Sequence, residues 1–291
     1  MPAGGAAPAE YPQGVSRKLA ALTALIALTC GGVTAFLLFR DSGSKLPEVI
    51  LYGDSLSVES GRYVEASLLR AGKVEFVNRA VAGSAPCDWI PRATTDASKN
   101  PAAVIVETYG NNVSPCQLTK AGNRYRSGGR AYWAQYQTDL RRFAKMFSNS
   151  TAVVLTAAPA AYNDISKDGP HKARMLKAMR SAMRGISNAS VIDAGREVEL
   201  PGGKYTRILP CIKGEKCANK PAPRMTYVRA EDGIHFCPPV LHATIKLLEK
   251  CPVRASGAWR FGRAQAAPVI AALGLRASNP TKLHRKKKHS N

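Results

Sequence analysis

Five residues of this chain have the types and positions that acyl transfer through a serine needs. Ser55 follows a short apolar run, in Tyr52-Gly53-Asp54-Ser55-Leu56-Ser57. Gly83 closes the stretch Asn78-Arg79-Ala80-Val81-Ala82-Gly83, and Asn112 closes Gly110-Asn111-Asn112. Far downstream, Asp232-Gly233-Ile234-His235 places a carboxylate three residues before an imidazole. A serine nucleophile requires a base to take its proton, a group that orients the base, and hydrogen-bond donors for the tetrahedral oxyanion. The chain offers each type. Bland readings stand beside these: Ser55 as a helix cap, Gly83 as a turn glycine, Asp232-Gly233 as a turn with His235 at the surface. The other histidines have poorer company. His242 falls on a later helical stretch, His284 and His289 in a basic tail, and His171 opens a helix with no acid at useful spacing.

The elements that must position these residues alternate. Apolar runs at Val49–Tyr52, Val74–Val77, Ala102–Val106, Ala152–Leu155 and Ser190–Ile192 read as strands. Helical spacing marks Tyr63–Leu69, Tyr132–Phe147, His171–Met183, Leu241–Leu248 and Ala258–Leu275, whereas residues 194–231 read as an irregular excursion. Strands alternating with helices predict a parallel sheet covered on both faces. The expected fold is α/β, a three-layer α/β/α sandwich of flavodoxin-like type with a five-stranded, mostly parallel sheet. Ligands bind such sheets at the carboxyl ends of the strands, where Ser55, Gly83 and Asn112 fall.

These segments resemble the blocks of the SGNH (GDSL) hydrolase superfamily. Gly53-Asp54-Ser55-Leu56 is similar to its first block, and Asn78 to Gly83 to its second, usually N-x-G-x-x-G, with Ala80 in place of the middle glycine. Gly110-Asn111-Asn112 resembles G-x-N, with Val113 where many relatives have aspartate, and Asp232-Gly233-Ile234-His235 matches D-x-x-H. The resemblance spans about residues 47–275. It implies Ser55 as nucleophile, His235 as base and Asp232 as the acid that orients it, with Asp193 the alternative acid. It also implies an oxyanion hole from the backbone N–H groups of Ser55 and Gly83 and the amide of Asn112, with Asn111 the rival. No metal or cofactor is expected.

The compartment is read from the N-terminus and the cysteines. Leu19–Phe39 is 21 residues without a charge, after Arg17-Lys18; at ~1.5 Å per residue it spans a bilayer core of about 30 Å. It runs past the length of a cleaved signal peptide, so an uncleaved anchor is expected. The organisation read here is a cytoplasmic start (1–18), a single transmembrane helix (19–39), a linker (40–46), the hydrolase domain (47–276) and a basic disordered tail (277–291). Beyond Cys30 in the anchor stand six cysteines, Cys87, Cys116, Cys211, Cys217, Cys237 and Cys251. An even set past an anchor indicates disulfides in an oxidising compartment. No C-x-x-C pair favours zinc. On the frame of the resemblance, Cys87 and Cys116 follow the second and third blocks, so their pairing is natural. Cys211–Cys217 would close the excursion, and Cys237–Cys251 would hold the segment after His235.

The chain carries 42 basic and 20 acidic residues, and residues 41–251 alone hold 30 against 19, a net +11. That excess favours anionic partners. With the domain outside the cell membrane, these are envelope polymers or lipid headgroups, and nucleic acid is excluded. The expected activity is hydrolysis of acyl esters of a cell-envelope lipid or acylated glycan. The alternatives are O-acyl transfer onto an envelope glycan or glycolipid, and an inactive binder of acidic wall polymers.

Overall fold

The computed structural model describes residues 45–162, 165–166, 169–215, 217, 219–236 and 256–276. The expected cytoplasmic start, anchor and tail, most of the linker, His242 with the helical stretch Leu241–Leu248, Cys237 and Cys251 lie outside the described residues. Among the described residues no helix is long and apolar enough to cross a membrane.

Five parallel strands form the sheet: β1 (Glu48–Tyr52), β2 (Glu75–Asn78), β3 (Ala103–Thr108), β4 (Ala152–Ala157) and β5 (Ala189–Ile192), in the order β2-β1-β3-β4-β5. Val49 pairs with Ala103 and Val104 with Val153, so the three central strands run in step. Side chains alternate across the sheet. Ile50, Tyr52, Val104, Val106, Val153 and Leu155 enter one core, and Val49, Leu51, Ala103, Ile105 and Val154 enter the other. Burial on both faces is why these segments are continuous apolar runs rather than alternating ones.

Helix α1 (Ser55–Ala71) and helix α5 (Ser256–Ala272) cover one face. Their approach depends on Gly262, where a Cβ would come within 2.8 Å of the Ser60 carbonyl oxygen and the Tyr63 Cβ. Helices α2 (Pro86–Ala97), α3 (Arg130–Ala144) and α4 (His171–Met183) cover the other face. On α3, Tyr132, Tyr136, Leu140 and Phe143 point inward at helical spacing.

Helix α2 does not follow from apolar periodicity, which its prolines and polar residues interrupt. It is set by its start instead. Pro86 occupies the first turn, where a missing N–H costs nothing, and the Asp88 carboxylate accepts from the Ala85 backbone N–H at 2.8 Å. Helix α1 also begins earlier than Tyr63, at the serine itself. The excursion after β5 is less irregular than its sequence, for it contains a short antiparallel hairpin, β6 (Ile208–Pro210) with β7 (Met225–Tyr227). Arg260 of α5 grips Glu215 beside it at 2.7 Å.

Candidate active site

The order of the strands reverses between β1 and β3, and the loops that leave their carboxyl ends carry the site. Asp54 builds that corner. Its Oδ1 accepts the Leu56 N–H at 3.0 Å and caps α1, while its Oδ2 accepts the Tyr109 N–H at 2.8 Å and the Asn111 amide at 3.1 Å. One buried carboxylate thus locks the turn after β1 to the turn after β3 and holds Ser55 at the first position of a helix. There the free N–H groups and the helix dipole favour a developing negative charge.

The segment 232–235 is brought to this helix start. The Ser55 hydroxyl lies 2.9 Å from His235 Nε2, and His235 Nδ1 lies 2.6 Å from Asp232 Oδ2. Asp232 Oδ1 also accepts the backbone N–H groups of Ile234 and His235, each at 2.9 Å. A carboxylate only accepts, so the proton sits on Nδ1 and the Nε2 lone pair faces the serine. Burial disfavours ionised Asp232, but the His235 hydrogen bond and the two N–H groups hold it well below the usual carboxylate range. Burial alone would lower the His235 pKa; the Asp232 hydrogen bond, with the Glu59, Asp232 and Asp54 charges, raises it overall.

Asp193, the alternative acid, is engaged elsewhere. Its carboxylate lies 2.6 Å from the Lys172 ammonium, which also meets Glu199 at 2.6 Å in a largely buried cluster.

The structure separates the two asparagines differently from the G-x-N spacing. Asn111 Nδ2 is within 3.1 Å of Asp54, the neighbour of Ser55, and 3.2 Å from the carbonyl of Ser84, the neighbour of Gly83. Asn112 Nδ2 instead donates to the Tyr125 carbonyl at 3.2 Å. Asn111 is therefore the amide that stands among the residues flanking Ser55 and Gly83. Just before the two asparagines Gly110 makes a tight left-handed turn, with φ +104°, where a Cβ would strike His171, Met175 and Tyr132. Gly83 also has a positive φ, +73°, that an L side chain rarely adopts.

Cys87 of α2 and Cys116 form a disulfide with Cα atoms 5.9 Å apart, which ties the loops that follow Gly83 and Asn112. Cys211 and Cys217 close the tip of the β6–β7 hairpin, Cα atoms 5.7 Å apart. Among the described residues no group of His, Cys, Asp and Glu could hold a metal ion.

Residues 48–240 match the family described as protein of unknown function (DUF459). The chain belongs to this family. Its four blocks, sheet order and Ser-His-Asp arrangement make it a member of the SGNH hydrolase superfamily. No curated protein matches the chain. Solved structures with a similar outline include a putative acylhydrolase from Bacteroides fragilis, at 16% identity, TM-score 0.47, covering 80% of this chain and 89% of that one. The peptidoglycan O-acetyltransferase A catalytic domain of Streptococcus pneumoniae matches at 13% identity, TM-score 0.44, over 79% of this chain and 94% of its own. An acetyl xylan esterase from Geobacillus stearothermophilus matches at 16% identity and TM-score 0.44, over 80% and 97%.

Several residues that support this SGNH site carry no motif. Three successive carbonyls, from Tyr109 into its third block, are each held by a side chain. His171 meets the Tyr109 oxygen at 2.8 Å, Tyr132 donates to Gly110, and Tyr136 donates to Asn111 at 2.7 Å. Burial lowers the His171 pKa, so the ring is neutral, and its Nε2 carries the proton because a carbonyl only accepts. Beneath the serine, Glu107 accepts from the Ser57 hydroxyl at 2.9 Å. Burial, and then the Asp54 charge, push its pKa well above the carboxylate range. No spacing in the sequence joins these residues, because their partners lie on other elements. The one usable signal is that buried polar side chains sit at core positions of helices, where each must find a partner.

Proposed function

We propose that this chain is a serine esterase that cleaves acyl esters of a cell-envelope lipid or acylated glycan through an acyl-enzyme on Ser55. The Ser55–His235–Asp232 hydrogen-bonded line carries the reading. As Ser55 Oγ attacks the ester carbonyl carbon, its proton passes to His235 Nε2. The oxyanion forms at the start of α1, with the N–H groups of Ser55 and Gly83 as donors, joined by the Asn111 amide as it gives up its 3.2 Å bond to the Ser84 carbonyl. The imidazolium returns the proton to the leaving alcohol as the C–O bond breaks. A water, deprotonated by His235, then releases the acid.

Access for water supports hydrolysis: the His235 side chain is 18% exposed and that of Asp232 34%. Exposed apolar side chains flank the loops of the site. Val81 and Val113 lie beside the oxyanion turns, and Tyr162 donates its backbone N–H to Gly233 within the acid–base segment. They suit the hydrocarbon of an acyl chain or the apolar face of a sugar ring. Transfer to a sugar hydroxyl uses the same site, with the acceptor in the place of water. An inactive binder has no need of the hydrogen-bonded triad.

A run of exposed basic side chains supports the anionic-partner reading. Arg130 and Arg142 of α3, Lys145 just after it, Lys177 and Arg180 of α4, and Arg184 are exposed, and none has an ion pair among the described residues. The only acid on these two helices, Asp139, is buried. A layer of this kind fits envelope polymers or headgroups. The uncharged Leu19–Phe39 segment and the Cys87–Cys116 pair support a membrane anchor with the domain outside.

A fluorophosphonate probe tests the chemistry. It labels Ser55 in the native protein and nothing in Ser55→Ala, and labelling of another serine refutes the assignment. Mass spectrometry of the envelope from a deletion strain then reads the direction: esters gained mean an esterase, esters lost a transferase. Thiol counting on unreduced, denatured protein tests the topology, with Cys30 the single alkylated cysteine expected.

A further inference from the structure

Helix α1 carries a second acid one turn after the serine. Glu59 is fully buried, and its Oε2 accepts the Phe236 backbone N–H at 2.9 Å. Its Oε1 has no hydrogen-bond partner among the described residues. Such an oxygen costs stability, and leucine would pack the same space without that penalty.

The groups that face Glu59 are the His235 imidazole, the Arg229 guanidinium and the Asp232 carboxylate; Asp54, at the start of the same helix, faces His235 as well. Arg229 is itself buried, with its guanidinium 5.3 Å from the centre of the Phe236 ring and Nη2 3.4 Å from the Gly233 carbonyl. The His235 carbonyl accepts the Ala230 N–H at 2.8 Å. The base is thus clamped from both sides, and on one side the clamp is a charge-bearing group fixed to the helix of the nucleophile.

We propose that Glu59 is a positioning residue for the His235 base: it ties the backbone beside His235 to the helix of Ser55, and its carboxylate stabilises the imidazolium formed on attack. The proposal rests on the esterase reading of the site. Burial raises the Glu59 carboxyl to about 7 against the attraction of His235 and Arg229. The Glu59 and His235 charges favour each other, so the two groups behave as a linked pair.

Glu59→Gln separates the two roles, since the amide oxygen still accepts from Phe236 while the charge is gone. Without that anion the imidazolium is less favoured. In full-length Glu59→Gln the NMR titration of His235 moves down by about half a unit or more. The acid limb of kcat/KM for a small soluble ester moves with it, kcat falls several-fold and KM stays within about twofold. Glu59→Leu, which also loses the anchor, drops kcat at least about tenfold. An unmoved His235 titration in Glu59→Gln overturns the proposal. Should that variant not fold, the reciprocal measurement decides: in His235→Ala the carboxyl titration of Glu59 rises by an equal shift, because the coupling is mutual. A Glu59 midpoint that stays in place overturns it equally. Both titrations are read without turnover, so a wild type that fails to react with fluorophosphonate refutes the esterase reading separately.

Discussion

Asp232→Asn isolates orientation from charge at the base. In the native protein Asp232 Oδ1 takes two backbone N–H groups and Oδ2 takes the His235 ring N–H at 2.6 Å. The asparagine oxygen replaces Oδ1, since only an acceptor satisfies those two donors. The NH2 group then faces Nδ1 and donates to it. The imidazole proton is driven to Nε2, the atom 2.9 Å from Ser55, which can no longer accept the hydroxyl proton. In the serine-protease triad the same exchange lowers kcat by about 10⁴, equivalent to roughly 5.5 kcal/mol of transition-state stabilisation. We expect a loss of that order for p-nitrophenyl acetate, with slower fluorophosphonate labelling and little change in KM. The pH profile adds a sign. Asp232 raises the His235 pKa, so the residual activity of the variant has an acid limb at lower pH than the wild type. Stability follows the opposite linkage: the depressed Asp232 carboxyl contributes above its unfolded pKa, near 4, and the contribution fades as pH falls. The variant therefore loses part of the native acid sensitivity below pH 4. A turnover within about tenfold of the wild type refutes the tautomer argument and makes Asp232 a turn residue.

The remaining predictions concern the groups around the triad. Asn111→Ala lowers kcat by about 10²–10³ as an oxyanion donor is lost, whereas Asn112→Ala leaves kcat within a few-fold; the reverse order in steady-state kinetics refutes the geometry. Gly110→Ala forces a side chain onto a backbone with φ +104° against His171, Met175 and Tyr132, and costs about 1–3 kcal/mol or more in denaturant unfolding. Replacing both Cys87 and Cys116 by serine opens a link across 29 residues, and the chain-entropy account puts the loss at about 3–4 kcal/mol. Denaturant midpoints check this value, and an unchanged midpoint shows that the link adds no stability.

The sheet was legible because its strands are buried on both faces and so read as apolar runs at Val49–Tyr52, Ala102–Val106 and Ala152–Leu155. The chemistry was legible where one local turn carries it, as in Asp54-Ser55 and Asp232–His235. Helix α2 was not, because its start is set by Pro86 and the Asp88–Ala85 contact rather than by a periodic apolar face. The choice between Asn111 and Asn112 was not either. Spacing counts residues from Gly110, but the direction of each amide depends on where Tyr132, Tyr136 and His171 hold the intervening carbonyls. Those side chains are 22 to 62 positions away, and one of them, His171, looked idle because its partner is a carbonyl rather than an acid.

The site divides into two halves with separate supports. The proposed oxyanion half belongs to the sheet: Asp54 joins the ends of β1 and β3, and two tyrosines and a histidine from α3 and α4 fix the turn after β3. The base half is a single loop stretch, held by Ala230, Arg229 and Glu59. The halves meet across the 2.9 Å between Ser55 and His235. The serine is common to both, because α1 is capped by Asp54 at its first turn and carries Glu59 one turn later. Helix α1 is therefore the element that sets the distance between nucleophile and base, and its register matters more than its apolar face shows. This explains why the helix spends buried positions on Ser57, Glu59 and Ser60, beside Leu56 and Val64. Ser57 reaches Glu107 under the sheet end, Glu59 reaches the base segment, and Ser60 reaches Gln265 of α5 at 2.9 Å. Each of these polar contacts fixes the helix in rotation as well as position, which an apolar contact, free to slide, does not.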